Sequence, residues 1–314
     1  MATTPLRNLV TGGAGFVGSH LVDRLMRSGE KVICLDDFFT GSKENIEYWI
    51  GHRSFEFIHH DVTEPITLDV DRIWHLACPA SPIHYQFNPI KTAKTNFLGT
   101  YNMLELARRV GARILFASTS EVYGNPEIHP QPENYNGNVN PIGIRSCYNE
   151  GKRVAESLCY DYVRMHHIDI RIARIFNTYG PRMLLSDGRL ISNLLVQSIH
   201  GEDLTIYGNG NQTRSFCFID DLIDGLILFM NSSSLGPMNL GNPEELSVLE
   251  IANLIRSDSI KKVNLKFLNE LEDDPYRRKP SIDFARKELN WQPKIIFKEG
   301  LKITREYFRE KLNL

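Results

Sequence analysis

NLVTGGAGFVGSHLVDRLMRSGEKVICLDDFFTG, residues 8–41, reads as strand, turn, helix and second strand in direct succession, with ligand chemistry at both joints. Leu9 and Val10 close a short apolar strand, and Gly12, Gly13, Gly15 and Gly18 follow at a spacing that fits both G-x-G-x-x-G and G-x-x-G-x-x-G. In such a turn the first glycines permit the reversal, Gly15 lets the backbone approach a pyrophosphate, and Gly18 lets the new helix pack closely on its strand. The helix predicted over Phe16–Ser28 aims its unpaired N–H groups and the positive end of its dipole at that pyrophosphate. Gly29 stops it, and Lys31–Leu35 form a second buried strand that ends at Asp36. A carboxylate there holds the adenosine ribose hydroxyls and repels a 2′-phosphate, so the pattern calls for NAD rather than NADP.

At 314 residues the chain exceeds the size at which single cores stop growing, so one large α/β domain with a smaller annex is expected. The formal net charge is −2, with no broad basic face to recommend nucleic acid or an anionic membrane as partner. The polar start MATTPLRN runs into the first strand at once, which leaves no room for a targeting segment. No apolar run approaches the ~20 residues of a membrane span, and a cytoplasmic protein is expected. Five cysteines without a C-x-x-C pair argue against disulfides and a zinc knuckle. The adjacent pairs His59-His60 and His166-His167 lack i, i+4 ligand spacing, so no metal site is expected.

Phe55–His60 reads as a third strand, followed by Asp61 and Val62; Asp61 stands either against the adenine or as a simple turn aspartate. Arg72–Ala77 is an apolar central strand, and the prolines of the following CPASP predict a loop beside the cofactor. One long helix is predicted over Pro89–Val110; Lys94, Thr95 and Asn96 near its start face the site, or Lys94 faces solvent. Arg113–Ala117 delivers Ser118, Thr119, Ser120 and Glu121 to the sheet edge, and residues 125–145, rich in Pro, Asn and Gly, predict an ordered loop across the site. A helix over Ser146–His166 carries Tyr148 and Lys152 on one face, and a strand over Ile168–Ile175 follows. Asp220 and Asp221 are expected to cap a helix over Leu222–Met230. Pro237–Leu240 reads as a last strand, Leu246–Arg256 as a helix and Lys261–Phe267 as an edge strand. The tail from Asp273 carries Arg277, Arg278 and Lys279 ahead of two more helices.

A phenol and an ammonium one helical turn apart act together: Lys152 favours the phenolate of Tyr148, making it a usable base near neutral pH, and holds the nicotinamide ribose. A hydroxyl at the neighbouring strand end, best placed at Thr119, hydrogen-bonds the same substrate oxygen. With GGAGFVGSHL, HLACPASP, ASTSEVYG, CYNEGKRVAE, RIFNTYGPRM, YGNGNQTRSF, LGNPEE and RRKPSI, the chain resembles the extended short-chain dehydrogenase/reductase superfamily over nearly its whole length. Within that superfamily it is similar to the UDP-glucuronic acid decarboxylases. Asn149, where an acid commonly follows the tyrosine, and Asp220, where a small polar residue is usual, depart from the pattern.

The cradle and the resemblance together imply an α/β fold, a Rossmann-type doubly wound parallel sheet. Residues 1–180 with about 217–241 would bind NAD, and residues 181–216 and 242–314 the nucleotide sugar. The implied cofactor set is Gly12, Gly15, Phe16, Val17, Gly18, Asp36, Asp37, Phe39, Thr40, Gly41, Asp61, Val62, Leu76, Ala77, Thr95, Tyr148, Lys152 and Thr178. The implied substrate set is Lys94, Asn177, Arg182, Tyr207, Gln212, Arg214 and Arg278, with Arg214 and Arg278 at the UDP diphosphate and Arg278 alternatively at the glucuronate carboxylate. The resemblance further puts Thr119 and Tyr148 at the sugar O4, and Ser120 and Glu121 near C5 and C6. The implied reaction oxidises UDP-glucuronic acid at C4, loses CO₂ and returns the hydride to give UDP-xylose with NAD recycled. Related alternatives are a UDP-sugar 4-epimerase and a nucleotide-sugar 4,6-dehydratase, the latter expected to show an Asp-Glu pair where Ser120-Glu121 follows Thr119. A non-catalytic NAD-sensing scaffold would have no need of Tyr148 and Lys152. Helices around residues 90–109 and 147–166 carry surplus apolar residues, and relatives pair two such helices per subunit into a homodimer.

Overall fold

Alternating apolar residues along a strand point to opposite faces of a sheet, and the computed structural model, which describes residues 4–270 and 275–314, buries both faces. The chain runs through β1 (Arg7–Thr11), α1 (Phe16–Arg27), β2 (Lys31–Asp36), β3 (Phe55–His59) and β4 (Arg72–His75). Next come α2 (Pro82–Phe87), α3 (Pro89–Lys94), α4 (Thr100–Val110), β5 (Arg113–Thr119), α5 (Ser146–His166) and β6 (Ile170–Ile175). Leu9, Ile33, Leu35, Ile73, Ile114 and Phe116 join one core with Met103, Leu104 and Leu106 of α4. Their neighbours Val10, Cys34, Trp74 and Leu115 join the other with Leu21, Val22 and Leu25 of α1. Each such buried side chain contributes about 1.5–3 kcal/mol, which fixes the strand register against a one-residue slip.

The second half contributes β7 (Thr178–Tyr179), α6 (Leu190–His200), β8 (Leu204–Tyr207), β9 (Thr213–Ser215), β10 (Cys217–Phe218), α7 (Ile219–Asn231) and β11 (Met238–Leu240). It continues with β12 (Glu245–Ser247), α8 (Val248–Ser257), β13 (Leu265–Leu268), β14 (Arg277–Arg278), α9 (Asp283–Leu289) and α10 (Phe297–Lys311). Seven parallel strands form the central sheet in the order β11-β6-β5-β4-β1-β2-β3. The order reverses between β1 and β4, and in such sheets the ligand crevice opens there, at the carboxyl ends of the strands. A three-stranded sheet, β12-β9-β14, sets Arg278 directly opposite Arg214 in parallel register.

The structure corrects four readings. The loop expected over Cys78–Pro82 ends one residue sooner: Pro82 opens α2 as its first residue, where a fixed φ suits the helix and no N–H is missed. The helix predicted over 89–110 is interrupted by a π-helical segment, Thr95–Gly99, between α3 and α4. Asp220 and Asp221 do not cap α7, which starts at Ile219; the Asp221 carboxylate instead accepts the Ile295 N–H at 2.9 Å, and burial raises its pKa. The strand expected over 261–267 is confined to β13, which pairs in parallel with β8. Asp273, where the tail was taken to begin, lies outside the described residues. Among the described residues, no helix is long and apolar enough to cross a membrane.

Candidate active site

The turn after β1 leaves no room for side chains. Gly12 has φ +68°, and a Cβ there would stand 2.9 Å from the Ala77 Cα; a Cβ on Gly18 would overlap the Gly12 carbonyl. The cavity above this turn is lined by Gly12, Gly15, Phe16, Val17, Gly18, Asp36, Asp37, Phe39, Thr40, Asp61, Val62, Leu76, Ala77 and Thr95. Asp36 accepts the Ala14 N–H at 3.0 Å and the Phe38 N–H at 2.8 Å, yet burial still raises its carboxyl pKa. Gly41 packs behind that carboxylate rather than on the cavity wall. Asp61 accepts from both the backbone and the hydroxyl of Thr63 and also from Lys91, so it is at once a turn aspartate and a cavity residue.

Two expected substrate residues fall elsewhere. Lys94 is exposed and lines neither this cavity nor the next; Lys91, one turn earlier on α3, is the lysine that faces inward. Arg182 lines the dinucleotide side, where Asp23 of α1 pairs with it at 2.8 Å. The Pro181 carbonyl meets His20 of α1 at 3.0 Å, so this turn is drawn toward α1 and away from the sugar side.

A second cavity adjoins the first through a wall common to both, Phe16, Val17, Leu76, Cys78, Ala80 and Arg189. It gathers Thr119, Ser120, Glu121, Tyr148, Lys152, Asn177, Thr178, Tyr207, Gln212, Arg214 and Arg278 from β5, α5 and the second half. Tyr148 stacks on Tyr85 of α2, with ring centroids 5.1 Å apart and planes 3° from parallel, and shares a hydrogen bond with Thr119. The Lys152 ammonium donates to the Ala117 carbonyl at 2.8 Å and sits 4.8 Å from the centre of the Phe116 ring. Burial pushes the Tyr148 phenol above its ordinary pKa, reinforced by Cys78 and Glu121, and pushes Lys152 down. The expected lowering of Tyr148 by Lys152 is therefore outweighed by desolvation in the protein's own field.

Charge distinguishes this second cavity. Among the described residues, Arg145, Arg189, Arg214 and Arg278 line it with one carboxylate, Glu121. Glu121 Oε1 lies 3.5 Å from Arg278 and 3.8 Å from Arg145, while its buried Oε2 has no hydrogen-bond partner. Arg278 also reaches the Asn177 amide oxygen at 3.4 Å. Arg189 is paired with Asp187 and faces both cavities. Sequence reading missed Arg145, Arg189, Tyr85 and Lys91. Arg145 had a readable signal, one turn before the Tyr148–Lys152 face; Tyr85 belongs to the unexpected α2, and Arg189 comes from a turn with no motif.

Residues 9–304 match the family described as GDP-mannose 4,6 dehydratase. UDP-glucuronic acid decarboxylase 3 of Arabidopsis thaliana is 57% identical over 310 residues, 98% of this chain and 91% of that protein. UDP-glucuronic acid decarboxylase 1 of Danio rerio is 56% identical over 98% of this chain and 73% of its own length. Among solved structures, the UDP-glucuronic acid 4-epimerase of Bacillus cereus, in complex with UDP-glucuronic acid and NAD, superposes with a TM-score of 0.87 at 29% identity, covering 98% of this chain and 100% of that one. DesIV, a dTDP-glucose 4,6-dehydratase from Streptomyces venezuelae with NAD and TYD bound, gives 0.88 at 26% identity, with 98% of both chains covered. The dehydratase and epimerase thus share the scaffold, whereas the decarboxylases match at about twice the identity over the same residues, and the chain belongs to the UDP-glucuronic acid decarboxylase family.

Proposed function

We propose that this enzyme converts UDP-glucuronic acid to UDP-xylose and CO₂ through a 4-keto sugar, with NAD recycled within each turnover. The observation that carries the reading is the second cavity: Tyr148 and Thr119 stand together in a pocket that, among the described residues, holds four arginines and one carboxylate, against a wall common with the glycine-turn cavity. Four arginines suit a substrate that brings a diphosphate and a carboxylate together. The glycine turn that a Cβ would block and the strand-end Asp36 fit a dinucleotide, whose ribose hydroxyls Asp36 would accept and whose adenine Asp61 and Val62 would border. Bound NAD supplies the hydride acceptor and a cationic ring whose charge acts with Lys152 against the burial that holds Tyr148 neutral.

The residues then divide the work. Tyr148 and Thr119 hold the sugar O4, Tyr148 taking its proton as C4 is oxidised and returning it at the end. A ketone at C4 is β to the C6 carboxylate, so the C5–C6 bond breaks with its electron pair passing into an enolate and CO₂ leaving. The unpartnered Oε2 of Glu121 is suited to relay the proton that C5 then takes, and Arg278 with Asn177 orients the anionic end of the substrate. Arg214, opposite Arg278, meets the diphosphate. The reading extends to a cytoplasmic homodimer, supported by Phe97, Tyr101, Val154 and Met165, apolar side chains left exposed along the π segment, α4 and α5. It also keeps the two-part division of the chain, supported by the return of β11 to the central sheet after α7. Purified protein incubated with UDP-glucuronic acid should release CO₂ and a pentose nucleotide; formation of UDP-galacturonic acid with its carboxylate intact would make it an epimerase instead.

A further inference from the structure

The adenosine end of the dinucleotide cavity holds three carboxylates and one ammonium. Asp36 closes β2, Asp37 follows it, and Asp61 comes after β3; Lys91 reaches across from α3. The Lys91 Nζ donates to Asp37 Oδ2 at 2.8 Å and to Asp61 Oδ2 at 2.6 Å, and lies 5.4 Å from the centre of the Phe39 ring. Side-chain exposures of 24% for Lys91, 29% for Asp37 and 35% for Asp61 leave the trio partly desolvated, where ion pairs act more strongly than on an open surface. Of the other lining guanidiniums, Arg182 pairs with Asp23 through Nη2 and keeps a buried Nη1 without a partner, and Arg189 pairs with Asp187.

We propose that Asp37 and Lys91 form a second lock on cofactor choice: among the described residues Lys91 is the cation that stands between these carboxylates, placed to take a 2′-phosphate, and Asp37 with Asp61 withholds it. The inference rests on the reading of this cavity as an NAD site. Asp36 repels a 2′-phosphate directly, whereas Asp37 acts through the lysine. An ammonium is a compact point charge that binds phosphate readily when it is available. Here it is divided between two acids, so a 2′-phosphate meets a carboxylate on one side and an already neutralised lysine on the other. Loss of the Asp37 charge takes the trio from a net charge of −1 to neutral and leaves Lys91 shared with one acid instead of two, so a 2′-phosphate meets less repulsion and a freer ammonium.

The test is the ratio of NADPH to NADH affinity, read from nicotinamide fluorescence on the full-length protein. Asp37→Asn should raise that ratio about tenfold at low salt, with much of the rise lost near molar salt. Adding Lys91→Met to Asp37→Asn should bring the ratio back to within about threefold of the starting protein, because the charge that gains the phosphate is gone. A side chain of merely structural importance would weaken both dinucleotides together and leave the ratio in place. An unchanged ratio in Asp37→Asn, or a double variant that keeps the rise, would overturn the lock while unaltered protein still binds NADH. Unaltered protein that binds neither dinucleotide would bring down the cofactor reading and the lock together.

Discussion

The dinucleotide cavity and the sugar cavity lie on two sides of one wall and are built by opposite means. On the adenosine side, Asp36, Asp37 and Asp61 come from the ends of adjacent strands β2 and β3, within one continuous stretch of chain. On the sugar side, Arg145, Arg189, Arg214 and Arg278 arrive from four separated segments, the last two set side by side by β9 and β14. On the proposed reading, the first would meet neutral hydroxyls that need acceptors and the second phosphates and a carboxylate that need cations. Local sequence can specify the first because a strand end fixes where its next residues stand, whereas the second exists only once four distant segments have been brought together.

The largest effect expected is at the junction. Tyr148→Phe should lower CO₂ release by roughly 10²–10⁴-fold while NADH affinity holds, as loss of a general base does; retained turnover would remove Tyr148 from the chemistry. Arg278→Met comes next: truncating a buried, partnered charge costs about 2–5 kcal/mol, so kcat/KM for UDP-glucuronic acid should fall by about two orders of magnitude with dinucleotide affinity unmoved. Equal loss at both ligands would show that the two cavities are not independent. Asp36→Ala makes the opposite cut, weakening NADH by about tenfold in direct titration and leaving UDP binding as it was.

The smallest effect concerns pH. Burial raises the Asp36 pKa, so its charge begins to be lost above the usual carboxylate range as pH falls, while arginine keeps its charge throughout. The preference for NADH over NADPH should therefore narrow a few-fold between about pH 7.5 and about pH 5.5. Binding of UDP-glucuronic acid, whose diphosphate is a diester with no ionisation in that interval, should show no parallel loss. A preference that widened on acidification would assign the discrimination to a group other than Asp36.

The same contrast governs what could be read beforehand. The glycine turn, Asp36 and the Tyr148–Lys152 face were legible because each depends on spacing within one element. Lys91 and Lys94 both lie in PIKTAK, and nothing local tells which one meets Asp37 and Asp61; only the packing of α3 over the ends of β2 and β3 decides it. The pairing of Arg182 is hidden for the same kind of reason, since its partner Asp23 lies 159 residues away on α1. The proline-bearing start of α2 was read as a loop, although Ser81-Pro82 is also a helix opening, and with it went Tyr85, the ring stacked on Tyr148. The Tyr148 proton affinity was read from its neighbour on the helix, and the desolvation that outweighs that neighbour is a property of the assembled pocket.

The π-helical turn at Thr95–Gly99 carries one more residue than the α-helix around it would need. Were these five residues wound as regular α-helix with none removed, everything before them would swing by about 100° about the axis. The ammonium of Lys91 would then leave both its acids, and Asn96 and Thr95 would turn off their present bearings. A further residue inserted among these five, with no second widened turn to absorb it, should be poorly tolerated, so the register of this turn acts as a ruler for the pocket that Lys91 lines.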